Sequence, residues 1–111
     1  MNESILNSIK RMLGLEADYK PFDTEIMAHI NAAFMELAQL GVVNEGFAIE
    51  DDTATWAACL LDNRKLEAIR TCIYLKVRLL FDPPSASLAE VMTRTIDRLE
   101  WRLNIAAESK E

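Results

Sequence analysis

A chain of 111 residues and 12.6 kDa holds one modest core, burying roughly two-thirds of the surface it exposes when unfolded. Half of its residues are hydrophobic and 27% are charged, which excludes a disordered chain, and 3 Gly and 3 Pro are too few for the tight turns of a sandwich or barrel. The formal net charge of −6 and pI near 4.8 oppose broad adhesion to nucleic-acid phosphates or anionic lipid.

No apolar run approaches the roughly 20 residues that span a bilayer. The start (Met1, Asn2, Glu3, Ser4) lacks the basic and apolar segments of a signal peptide. Cys59 and Cys72 are separated by 12 intervening residues with no framework pattern, so the expectation is two thiols in a reducing cytoplasm.

In chain order, a first helix is predicted from about Asn2 to Leu13, with Ile5, Leu6, Ile9, Met12 and Leu13 at helical spacing. Ser4 or Asn2 is its candidate cap and Gly14 its stop. A polar connector closes at Pro21. Asp23 or Thr24 is the candidate cap of the second helix, which carries Ile26, Ile30, Ala33, Phe34, Leu37 and Leu40 as one apolar stripe up to Gly41. Val42 to Thr55 is a long irregular loop in which Phe47-Ala48-Ile49 could pair as an extended strand. Loops of this length often carry function. A short helix through Trp56 and Leu61 follows.

The third long helix is expected from Asp62 or Asn63 to Asp82, before Pro83-Pro84, which cannot continue it. Its apolar positions, Leu66, Ile69, Ile73, Val77 and Leu80 widened by Cys72, Tyr74, Leu75, Leu79 and Phe81, place it at the centre of the packing. The fourth starts at Ser85 or Ser87, where Ser87 with Glu90 matches a capping box. Leu88, Val91, Met92, Ile96, Leu99 and Leu103 form its expected buried face, and 108–111 a frayed tail. The expected fold is all-α: a small bundle of about four main helices, a short extra helix and one long irregular loop, in one domain over residues 1–111. Ile30, Phe34, Leu37, Ile69, Ile73, Val77, Leu80, Leu88, Ile96 and Leu99 are expected in one buried cluster.

Signs of catalysis are lacking. His29 is the lone histidine, with no second His or Cys at ligand spacing. Glu50, Asp51 and Asp52 do not match an EF-hand loop. Phosphate-binding loops and nucleophile elbows are missing as well, so no enzyme activity, metal or cofactor is expected. Two features stand out. Arg94, Arg98 and Arg102 recur every four residues and share a helix face, where Glu90, Asp97 and Glu100 could pair with them. Alternatively, this strip meets an acidic partner such as the loop of another copy, with Glu45, Glu50, Asp51 and Asp52. Trp56, Trp101 and Tyr74 are large for so small a chain, and an exposed Trp at a helix end is a common interface anchor.

The order of segments resembles the head–tail connector (adaptor) proteins of tailed bacteriophages and prophages. The resemblance is carried by Ser8-Ile9-Lys10-Arg11-Met12-Leu13-Gly14-Leu15, by the Phe22-Asp23 to Leu40-Gly41-Val42 helix with Ile30-Asn31-Ala32-Ala33 at its centre, by Ile73 to Pro84 followed by Ser85, and by Leu99-Glu100-Trp101-Arg102-Leu103. It implies a non-enzymatic subunit made in the host bacterial cytoplasm and built into the virion at the head–tail junction. There it would form a twelve-fold ring, bind the portal above and a stopper or tail-completion protein below, and let DNA through without specific binding. No catalytic residues carry over. The competing reading is a small helical protein-binding module that regulates or inhibits a host protein.

Overall fold

The computed structural model describes residues 3–61 and 63–108, and among these every regular element is helical. α1 (Ile5–Met12) begins where the Ser4 hydroxyl accepts the Asn7 amide at 3.2 Å, one of the four N–H groups that a helix start leaves unpaired. Gly14, at φ 86°, turns the chain out of α1.

α2 (Asp23–Gln39) starts at Phe22 with no side-chain cap, contrary to the expected capping by Asp23 or Thr24. The reason is Lys10, whose Nζ lies 2.7 Å from Asp23 Oδ1 and draws that carboxylate into the bundle. Gly41, at φ 79°, ends the stripe as expected.

α3 (Trp56–Cys59) is a single turn, and a 3₁₀ turn (Asn63–Lys65) leads into α4 (Leu66–Phe81). The helix therefore begins a few residues later than expected, and Asp62 lies outside the described residues. α5 (Ala86–Glu108) begins one residue after Ser85, whose Oγ accepts the Leu88 amide at 3.4 Å. Ser87 lies inside the helix, so the expected Ser87–Glu90 capping box does not form. Glu108 is helical rather than part of a tail, and 109–111 lie outside the described residues.

α4 is the central element. It packs against both α2 and α5, which have no comparable contact with each other, and α1 closes over α2 and α4. Ile26, Ile30, Phe34 and Leu37 of α2 meet Ile69, Cys72, Ile73 and Val77 of α4, with Ile5, Leu6 and Ile9 of α1 and Ile96 and Leu103 of α5 completing the core. Leu99 is partly buried against it. Two expected core positions are wrong: Leu80 and Leu88 are 61% and 44% exposed. Val91 also faces solvent. Leu80 sits in the last turn of α4, where Phe81, four residues beyond Val77, takes the inward place and meets the Phe22 ring at 5.3 Å. Leu88 and Val91 lie in the first turns of α5, where Met92 is the buried position.

The Val42–Thr55 segment is irregular yet held at several points. Asn31 of α2 donates from Nδ2 to the Ile49 carbonyl (3.0 Å) and accepts the Ile49 amide at Oδ1 (2.8 Å). One side chain thus supplies both bonds that a neighbouring strand would have made, and the expected strand at Phe47–Ile49 is absent. Isolated bridges join Ser4 to Thr55 and Val43 to Leu60, and the Phe47 ring stands edge-on to Phe34 at 5.1 Å. The Trp56 indole is fully buried, its Nε1 donating to Ser8 Oγ (2.8 Å), which itself donates to the Ile5 carbonyl (3.0 Å).

Candidate protein–protein interface

α5 presents two faces. Met92, Ile96, Leu99 and Leu103 step by four, three and four residues and turn inward. On the other side Val91, Arg94, Arg98, Trp101 and Ile105 step by three and four residues and turn outward. Trp101 is 65% exposed, and Val91 and Ile105 are exposed beside it. Arg94, Arg98 and Arg102 are all exposed, so the structure brings the predicted basic strip and the tryptophan onto one surface.

The acids expected to neutralise this strip do not do so. Glu100 turns toward α4, where its carboxylate lies 2.9 Å from Lys76 Nζ, while Glu36 of α2 reaches the same ammonium at 3.2 Å. Burial acts to lower the Lys76 pKa, but the hydrogen bonds its ammonium donates to Glu100 and Glu36, with the charges of those carboxylates, outweigh it and leave the group raised above its ordinary value. Among the described residues Arg94 and Arg102 make no ion pair or hydrogen bond, and Arg98 only reaches Thr95 Oγ1 at 3.4 Å. Three cations flanking an exposed indole are therefore available to another molecule.

The acidic loop also lies at the surface: Glu45, Glu50, Asp51 and Asp52 are exposed. Their situations differ. Asp51 Oδ1 accepts from both the hydroxyl (2.6 Å) and the amide (2.9 Å) of Thr53, which holds its carboxyl below the usual range and shapes the turn. Asp52 lies 4.0 Å from Lys20. Glu45 and Glu50 have no such partner among the described residues. Beside Glu45, a groove of about 450 Å³ opens between α2 and the loop, lined by Phe34, Met35, Ala38, Gln39, Gly46 and Phe47. The sequence reading missed this groove, although Met35, apolar yet off the α2 stripe, was a signal for it.

The remaining candidates are structural. His29 pairs loosely with Glu25, Nε2 to Oε2 at 3.5 Å, and among the described residues no three His, Cys, Asp or Glu side chains gather as a metal site requires. Cys59 and Cys72 are free and buried. Burial pushes both thiols up to about 12, Glu100 adding to the effect at Cys72, so neither is an activated nucleophile. No helix among the described residues is long and apolar enough to cross a membrane.

Comparison with curated proteins gives no match, and comparison with solved structures gives none. A family model described as phage connector protein matches residues 5–110, from the first residue of α1 through all of α5. The match spans the helical core, the acidic loop and the basic strip together, and the all-helical fold agrees with the head–tail connector resemblance seen in the sequence: the chain belongs to the phage connector protein family.

Proposed function

We propose that residues 1–111 act as one helical connector domain, a structural and non-enzymatic subunit that assembles into a twelve-fold ring beneath the portal. The ring extends the DNA channel toward the tail and binds the portal on one side and a stopper or tail-completion protein on the other. Family membership supports a connector role among phage head and tail proteins in the virion. The observation that carries the ring is the outward face of α5, with Arg94, Arg98 and Arg102 around an exposed Trp101 on a chain of net charge −6. A ring needs two different surfaces that pair head-to-tail. The basic strip and the acidic residues Glu45, Glu50, Asp51 and Asp52 supply them, steering approach and fixing register more than adding affinity. The net negative charge suits a wall past which DNA slides, because like charge discourages phosphates from adhering.

Negative-stain imaging of the protein mixed with the portal of the same phage tests this, with rings of uniform diameter as the expected result. Arg98→Glu together with Arg102→Glu is expected to keep the helical circular-dichroism spectrum and abolish the rings, since both side chains face solvent. Rings formed as efficiently by the double variant would remove the strip from the interface. A compact one-to-one complex with a host protein, and no rings from the parent, would favour the regulator instead.

A further inference from the structure

The outward stripe of α5 and the groove beside α2 lie on helices packed separately against α4. A contact between them therefore joins unlike sides of two molecules and repeats from copy to copy, as a head-to-tail interface must. Resting on the ring reading above, we propose that Trp101 of one copy seats in the α2–loop groove of the next copy.

Shape, polarity and charge all point to this occupant. An indole is the largest apolar side chain available, and at 65% exposure it is the most exposed of the large apolar residues on this surface. The groove, at about 450 Å³, falls within the size range of pockets that enclose whole ligands and readily takes one ring system. Its walls are what an indole packs against: the Phe47 and Phe34 rings, the Ala38 methyl and the Met35 thioether, with Met35 itself 62% exposed. Charge then fixes the orientation. Arg98 and Arg102 flank Trp101 on α5, and Glu45 stands in the groove wall with no partner of its own among the described residues. Seating the ring carries these cations toward that carboxylate. The floor is also prepared beforehand, because the Asn31–Ile49 hydrogen bonds and the Phe34–Phe47 contact hold the loop against α2 in the single subunit. Little ordering is left to be done on docking.

The test replaces the indole with a photoreactive single-ring aromatic of similar bulk, Trp101→p-azidophenylalanine, in the full chain at high concentration and in mixtures with portal. Products of two joined chains are isolated after irradiation and the junction is read by peptide mass spectrometry. The expected junctions are Met35 and its neighbours through Phe47 of the second copy. Glu45→Arg on the same background should lower the yield by about tenfold through like-charge repulsion, and adding Arg98→Glu should restore it. Junctions elsewhere, only single-chain products, or a yield indifferent to both charge changes would each overturn the docking. If the parent forms rings while the junctions map elsewhere, this inference fails and the ring reading stands; absence of rings from the parent is the separate failure of that reading.

Discussion

Lys10 shows how far a single residue can depart from the usual surface place of a lysine. It sits at helical spacing from Leu6 and Leu13, inside the α1 stripe, and is fully buried. Its ammonium donates to the carbonyls of Ala17 (3.0 Å) and Tyr19 (2.6 Å) and pairs with Asp23 at 2.7 Å, tying the α1–α2 connector to the start of α2. A buried cation is tolerated only when its protons are matched in this way. Lys10→Met is therefore expected to cost about 3–5 kcal/mol, because it strands two carbonyls and a carboxylate. Urea denaturation measures this, and Lys10→Met with Asp23→Leu should recover part of the loss. A midpoint unchanged by the single substitution would show that the connector does not depend on Lys10. The position was legible in principle, since a lysine four residues from one leucine and three from another interrupts an otherwise apolar face.

At the scale of elements, α5 is fastened to the rest by the Glu36–Lys76–Glu100 junction as well as by its apolar face. Lys76→Met is expected to cost about 1–3 kcal/mol at neutral pH, between the worth of a surface pair and that of a fully buried one. Because the folded pKa of Lys76 is raised above 10.5, its contribution is complete below that pH and is lost as pH rises through the higher folded value. The gap in thermal stability between parent and variant should thus stay constant to about pH 10 and close above it. A gap that persists undiminished in strong alkali would mean that packing of the lysine stem, and not its charge, holds the junction. The same junction explains why the basic strip is unpaired, since it turns Glu100 away from α5's own arginines. Local spacing alone favoured the intrahelical pairing, and only the position of α4 reveals the competitor.

At the scale of the molecule, Phe34 marks where the parts become one cooperative unit. It lies in α2, edge-on to Phe47 of the loop at 5.1 Å and 6.3 Å from the Trp56 ring of α3. Phe34→Ala should cost about 3–5 kcal/mol, a large share of a small domain's stability, and retain a single unfolding transition. A thermal melt matching the parent would sink the assignment of this α2 face to the core. The whole-molecule view also separates the two tryptophans. Trp56 is fully buried under α1 and α2, whereas Trp101 is 65% exposed on the face of α5 turned away from α4.

Much of the architecture follows from the sequence by itself. Helical periodicity, with Gly14, Gly41 and Pro83-Pro84 as breaks, determines the long helices and their order, and the four-residue spacing of Arg94, Arg98 and Arg102 determines that they share a face. These are local consequences of 3.6 residues per turn and of what glycine and proline permit. What covers each face was decided only by the tertiary structure. Leu80, Leu88 and Val91 look like core by spacing but face solvent, while Phe81 and Met92 beside them turn inward; Lys10 looks solvent-seeking but meets three oxygens from the next segment; Asn31 substitutes for a strand that the loop composition suggested. Burial and charge pairing are set by residues distant in the chain, and no local period encodes which of them arrives.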